Sequence, residues 1–257
     1  MATGMERIDQ VGVVVCAPGT PGAGGAGQDA QLAGRPLLVW AVAAMEANRS
    51  VAAVAVTAPR KAVGAAAKLL ADHGFAKLVA VVGGGRTRQA SVAAALAALP
   101  AGLEYVAVHD AARPLADHGL VDRLLEALVT VEGPLGAETG AGAGVGSGSG
   151  CAGVVPGVPV TDTVRRVDSE GRSGGVVDRT VLRAVQTPQL FRRSALEAAH
   201  RHALQEGLEA TDDATLMERA GHPVAVVAGS AENLRVATPL DLLVAEAMLE
   251  RRRRRGT

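Results

Sequence analysis

Four apolar runs, each followed by a stretch of helical periodicity, constrain this chain more than anything else in it. Residues 11–16, 51–58, 77–82 and 105–109 carry almost no polar side chain in their interiors. A strand with one face in water alternates apolar and polar residues, so a nearly continuous apolar run marks a strand buried on both faces. The stretches 36–47, 61–73 and 87–99 between them read as helices. Pro36 suits a first helical turn, and Gly74 stands where a helix C-terminal cap is expected. This alternation predicts an α/β fold with a mostly parallel, Rossmann-like sheet covered by helices on both faces. Apolar residues make up 48% of the 257 and aromatics only 2%, so the core must be built from Val, Leu and Ala.

The second half keeps the pattern after one break. Residues 133–150 are mostly Gly, Ala and Ser without periodicity, and are expected to form a flexible insertion. A strand follows at 153–155. Residues 160–181 are rich in β-branched side chains around a turn at 168–175, which predicts a projecting β-hairpin arm. A lone two-stranded ribbon is marginal in water, so the arm is expected to pair with a second copy as a homodimer. Helices at 194–206 and 212–220, a strand at 224–228 and a last helix from Pro239 complete one domain over 11–250. Residues 1–10 are expected as an N-terminal tail. Residues 251–257 are expected as a basic C-terminal tail, with Arg251 to Arg255 a solvated, frayed helix end whose charge suits a helix C-terminus.

Several function classes are disfavoured. Lys plus Arg and Asp plus Glu balance at 26 each, so no global basic field draws nucleic acid. Cys16 and Cys151 have no metal-ligand spacing. No apolar run reaches membrane-spanning length, and residues 1–10 lack a signal-peptide pattern. A cytoplasmic protein without a membrane partner is expected.

The chemistry gathers at strand ends. Val108-His109-Asp110-Ala111-Ala112-Arg113-Pro114 closes the fourth apolar run, at the carboxyl edge where open α/β sheets bind ligands. Asp110 can hold a metal ion, and the Arg113 guanidinium can fork onto a phosphate. His109 reads as a packed strand-end residue. The glycine-rich stretch 17–27, with Gly19 and Gly22, follows the first strand, where backbone N–H groups can wrap phosphates. Its spacing matches neither the Walker loop nor the dinucleotide fingerprint. Gly84-Gly85-Arg86-Thr87-Arg88-Gln89-Ala90-Ser91-Val92 marks a strand-to-helix turn. It can contact a base or ribose, or simply start a helix with Thr87 as cap.

Residues 108–114 closely resemble the V-H-D-A-A-R-P motif of the methylerythritol phosphate cytidylyltransferase family. Residues 84–92 resemble its G-G-x-x-R-x-x-S-V, 187–191 its T-P-Q-x-F, 211–214 its T-D-[DE]-A, and 233–242 its N-x-K-V-T-x-P-x-D-L. The resemblance implies a nucleotidyltransferase sheet. It implies cytidylyl transfer from CTP to 2-C-methyl-D-erythritol 4-phosphate with Mg²⁺, in the non-mevalonate route to isoprenoids. The products are 4-diphosphocytidyl-2-C-methyl-D-erythritol and pyrophosphate. By the same resemblance, Asp110 would place the Mg²⁺ and Arg235 would stand for a phosphate-binding Lys. Gly19, Gly22, Gly84, Gly85, Arg88 and Ser91 would serve the nucleotide. Arg113, Thr163, Arg179 and Thr187 would hold the sugar phosphate, Thr163 and Arg179 reaching from the arm into a neighbouring subunit's site. The chain departs from the family in one place. No Lys or Arg stands between Arg7 and Arg35, where the family carries two cations for the triphosphate. Cytidylyl transfer and a catalytically impaired paralogue serving as a binding or regulatory subunit are therefore both open. A sugar-1-phosphate nucleotidyltransferase on the same sheet fits the D-A-A-R-P and T-P-Q segments less well.

Overall fold

The computed structural model describes residues 10–17, 30–130 and 150–256. Gly19, Gly22 and nearly all of the 133–150 insertion lie outside the described residues. In chain order the first half runs β1 (Val11–Cys16), β2 (Gln31–Leu32), β3 (Arg35–Pro36), α1 (Leu37–Glu46), β4 (Val51–Ala58), α2 (Val63–Asp72), β5 (Leu78–Gly83), α3 (Arg88–Ala98), β6 (Tyr105–Asp110) and α4 (Leu120–Thr130). The second half runs β7 (Gly153–Pro159), β8 (Arg165–Val167), β9 (Ser173–Val176), β10 (Arg183–Val185), β11 (Gln189–Arg192), α5 (Arg193–Gln205), α6 (Asp213–Arg219), β12 (Val224–Ala228) and α7 (Pro239–Arg255).

Eight strands form one sheet in the order β10-β7-β11-β6-β1-β4-β5, with β12 beside β7. β1, β4, β5 and β6 pair in parallel, as do β7 and β12, while β10 and β11 run antiparallel to their neighbours. The mostly parallel α/β architecture is therefore as expected. β10 and β11 are additions that the sequence pattern does not announce. β11 has only four residues, and its burial comes from lying between β6 and β7 rather than from its own periodicity.

Alternation along the central strands sorts the core onto two faces. Val11, Val13 and Val15 join Val42, Met45, Leu70, Leu124 and Leu128 from α1, α2 and α4. Val14 and Cys16 join Val92, Leu96, Leu196 and Met217 from α3, α5 and α6. Gly12 alternates onto this second face, where a side chain would press on Leu99 and Leu103. A Cβ would lie 2.8 Å from Leu99 Cδ1. Truncating a buried leucine such as Leu124 in packing of this kind costs roughly 2–5 kcal/mol.

α7 closes a third, smaller cluster with Leu32, Leu37, Leu115, Val236 and Leu249. A capping box between Thr238 and Asp241, with Pro239 in the first turn, starts the helix, and Gly256 ends it in a left-handed conformation. The basic run expected as a frayed tail is helical through Arg255. Arginine is a good helix former, and Arg251 and Arg252 are tied to Glu232. The arm is also shorter than the stretch 160–181. Only β8 and β9 pair, as a separate two-stranded sheet, and the chain leaves it through a 3₁₀ turn into β10. Among the described residues no helix is long and apolar enough to cross a membrane.

Candidate active site

Strand register gathers the site. β1 pairs with β4 and β6 so that Cys16 lies opposite both Thr57 and Asp110 at the carboxyl edge. β11 sets Gln189 against Val108, which brings Thr187 to the end of β6. A cleft of about 490 Å³ opens over these strand ends, and Gly85, Arg88, Ser91, Asp110, Arg113, Thr187 and Arg235 all line it.

The end of β6 is held by an oriented chain of hydrogen bonds. Thr187 Oγ1 accepts from the Asp110 N–H at 3.0 Å and lies 3.2 Å from His109 Nδ1. His109 Nε2 lies 3.2 Å from the Arg113 carbonyl. A carbonyl only accepts, so Nε2 carries the proton and Nδ1 accepts from the threonine hydroxyl. The His109 ring is fully buried. Burial pushes its pKa down to about 4, against a smaller upward pull from Asp110 and the Arg113 carbonyl. It is neutral at pH 7 and acts as a strut rather than a base. The Thr187 hydroxyl is satisfied on both sides, so a phosphate would have to displace its bond to His109.

Arg88 forms the wall between Asp110 and the helices behind it. Its Nη1 is 2.5 Å from Asp213 Oδ2, and its Nε is 3.5 Å from Asp110 Oδ1. Asp213 is fully buried and also lies 3.0 Å from His200 Nε2. Burial alone would raise the Asp213 pKa, but the His200 bond and the Arg88 charge outweigh it and hold the carboxyl below its usual range. Burial works against the Arg88 charge too, and the carboxylates of Asp213 and Asp110 more than restore it. Arg88 thus stands at the cleft as the resemblance implies, but most of its fork is committed within the protein. Asp213 is the partner that sequence reasoning missed, because 211–214 entered it only as one more matching segment. Asp212 alone does the capping, accepting from Thr215 N at 3.1 Å. The available signal was one carboxylate more than a cap needs.

The glycine turn keeps both of its readings. Thr87 Oγ1 accepts from Ala90 N at 3.1 Å as the α3 cap. Ser91 Oγ accepts from Gly85 N at 3.0 Å and donates to the Thr87 carbonyl at 2.9 Å. A Cβ on Gly84 would sit 2.9 Å from Ser91 Oγ, and one on Gly85 would sit 2.4 Å from Ala90 Cβ. Only glycine permits so close an approach to the helix start. The turn that results presents Gly85, Arg86 and Ser91 to the cleft.

The opposite wall is cationic. Arg113 Nη1 donates to the Asn233 carbonyl at 2.7 Å, and Asn233 Nδ2 donates to the Thr187 carbonyl at 2.8 Å. The Val236 N–H reaches the Ala112 carbonyl at 2.7 Å, which brings the segment carrying Arg235 against the segment carrying Arg113. Burial lowers the Arg113 pKa; Asp110 opposes this and Arg235 adds to it. Arg113 Nε, Arg88 Nη2 and Gln189 Oε1 are buried without a protein hydrogen-bond partner. Such groups cost roughly 1–3 kcal/mol each when unmet, and these three sit on residues that line the cleft. Cys16 contributes a wall and no nucleophile, because burial pushes its thiol up to about 12. Among the described residues no group of three or more His, Cys, Asp and Glu side chains converges as a metal site. Thr163 and Arg179 are not in the cleft. Both are exposed on the arm segment, where Arg179 Nη1 donates to the Thr161 carbonyl.

A mostly parallel sheet with a carboxylate and several guanidiniums around a cleft at its strand ends defines the class, an α/β nucleotidyltransferase. Within it, the chain belongs to the IspD family of 2-C-methyl-D-erythritol 4-phosphate cytidylyltransferases, whose profile matches residues 11–137 and 145–251. It is 39% identical over 223 residues to the 2-C-methyl-D-erythritol 4-phosphate cytidylyltransferase of Thermosynechococcus vestitus, covering 87% of each chain. It is 40% identical over 230 residues to that of Streptomyces avermitilis, covering 86% of this chain and 83% of the relative. The crystal structure of the Thermus thermophilus enzyme superposes with a TM-score of 0.69 at 37% identity, over 92% of this chain and 98% of the other.

Proposed function

We propose that this chain transfers a cytidylyl group from CTP to 2-C-methyl-D-erythritol 4-phosphate, releasing pyrophosphate. An oxygen of the sugar phosphate bonds to the α-phosphorus of CTP, and the bond between the α-phosphorus and the bridging oxygen to the β-phosphate breaks. The reading rests on one observation above all: Asp110, Arg113 and Arg235 line a single cleft at the strand ends. Such transfers need alignment and charge neutralisation more than proton transfer, and the neutral His109 strut and protonated Cys16 leave that as the available chemistry.

Arg113 and Arg235 take the sugar phosphate, while the turn with Gly84, Gly85 and Ser91 takes the nucleoside. Mg²⁺ fits the residues present. This ion is commonly held by one or two carboxylates together with substrate phosphates, and Asp110 is a single carboxylate facing the cleft. When bound, Mg²⁺ neutralises charge that develops on the phosphates. Arg86 is exposed at the same cleft and supplies positive charge that residues 18–29 lack. Thr163 and Arg179, absent from their own chain's cleft, complete that of a second copy in a homodimer. Substrates of this kind are cytoplasmic metabolites, which supports a cytoplasmic location.

The test is pyrophosphate release by the full chain with CTP, methylerythritol phosphate and Mg²⁺. Turnover that requires all three supports the transferase. Binding of methylerythritol phosphate without pyrophosphate release would show the impaired paralogue instead, an alternative that the similarity to cytidylyltransferases along nearly the whole chain does not favour.

A further inference from the structure

A second cavity, about 690 Å³, lies away from the cleft, between α1, the turn after β6 and the end of α7. Its wall is apolar, with Trp40, Leu115 and Leu249. The indole is fixed by Nε1 donating to the Leu32 carbonyl at 2.9 Å, and the Arg35 guanidinium lies over its ring at 5.0 Å.

The charge around this wall does not balance. Both carboxylates that line it are already occupied. Asp117 is 2.8 Å from Arg123, and Glu232 is bound by Arg251 and Arg252. Arg35, Arg253 and Arg255 line the same cavity with no carboxylate in ion-pair contact among the described residues. The negative end of the α7 dipole amounts to about half a charge and falls well short of three guanidiniums. An apolar wall beneath a cationic rim selects a molecule with the same two halves.

We propose that this cavity binds a phosphate ester of an apolar alcohol. The phosphate sits on Arg35, Arg253 and Arg255, and the hydrocarbon lies against Trp40, Leu115 and Leu249. The site is separate from the cleft and does not depend on the transferase reading. It does share a wall with it: Arg252 Nη2 donates to the Leu115 carbonyl at 3.0 Å and lies 3.1 Å from Glu232, so it ties together the two segments that carry Arg113 and Asn233.

Trp40 is the only tryptophan in the chain, so its emission reports this cavity directly. The probe is hexyl phosphate, titrated against the full chain, with inorganic phosphate and hexanol as separate arms. Saturable change with hexyl phosphate, at least tenfold tighter than with either fragment, is the expected result. The exposed pair Arg253→Gln and Arg255→Gln should weaken it tenfold or more. Saturating CTP with Mg²⁺ should leave it unchanged. Equal response to inorganic phosphate would show an unspecific basic patch and overturn the proposal. Competition by CTP would place the probe in the cleft and overturn it as well, as would insensitivity to the two arginine changes.

Discussion

The cleft and the β8–β9 arm use similar residues, Arg, Thr, Asp and Val, and come out opposite. In the cleft, Arg88 meets Asp213 across 125 positions of sequence, and Asp110 meets Thr187 across 77. In the arm, Arg165 meets Ser173 eight positions away, and Arg172 meets Asp168 four away. The cleft's carboxylate partner is fully buried, whereas Val167 and Val176 of the arm are 66% and 57% exposed. The cleft therefore takes its shape from the whole fold and loses it when a distant partner is removed. The arm carries its own local shape and leaves an apolar surface for something else to cover.

If that contrast is right, the largest effect belongs to the buried partner. Asp213→Ala leaves Arg88 and His200 facing an empty position in the interior. Breaking a buried pair from one side costs roughly 3–5 kcal/mol, so denaturant unfolding should show a loss of that size, together with a fall in turnover. Loss of turnover at unchanged stability would mean that Arg88 is not held by the fold. Next comes Asp110→Asn, which removes a charge from the cleft but leaves the backbone N–H that Thr187 accepts. Turnover should drop by about 10²–10³, the usual size for one preorganised contact at a transition state, with stability unchanged. Measuring both variants by both methods separates the wall from the working face.

His109 gives the third effect. Its folded pKa, about 4, lies below the ordinary value of 6.5. Between those two values the unfolded chain binds the proton and the folded chain does not, so stability is full above pH 6.5 and is lost as pH falls toward 4. A shift of this size corresponds to at most about 3 kcal/mol. His109→Gln should flatten the pH dependence of unfolding over that window relative to the unaltered chain. An unchanged slope would mean that the ring is not the buried neutral strut described above.

What the sequence allowed to be read follows the same division. Long apolar runs carry their own evidence, so β4 and β12 appear with the expected bounds, and the strand-end position of Asp110 and Arg113 follows from the run before them. Motif resemblance brought Arg235, Gly85 and Ser91 to the same cleft. The Arg88–Asp213 pair was only half legible: a carboxylate beyond what a cap needs stands at 213, but nothing near either residue says which of the chain's many charges it will meet. β10 and β11 were hidden for a related reason: three and four residues are too few to show a period, and their place depends on β7 and β6. Thr163 and Arg179 are the reverse case. The motif predicts a role in a site, and their own chain's fold does not bring them there.

The smallest effect on the chain itself is expected at the arm, and for that reason it tests the comparison most sharply. Val167 and Val176 are exposed, and substitutions at such surface positions usually change stability by less than about 0.5 kcal/mol. Val167→Ser with Val176→Ser should therefore leave unfolding of the isolated chain almost unchanged. If the arm's apolar surface is covered by a second copy, the same pair should lower the sedimenting mass from twice 25.9 kDa toward 25.9 kDa at micromolar concentration. A functional version asks whether the arm completes the neighbour's cleft. Asp110→Asn spoils a cleft but keeps its arm, and Arg179→Ala spoils an arm but keeps its cleft. Random pairing makes half the dimers mixed, and each mixed dimer holds one intact cleft served by one intact arm. An equal mixture should then recover about a quarter of the unaltered activity from two nearly inactive parents, as two-fold symmetry requires. No recovery, with dimers still forming, would mean that Arg179 serves its own chain after a movement of the arm. The locally bonded hairpin would then be a flap over its own cleft and not a donor to the next.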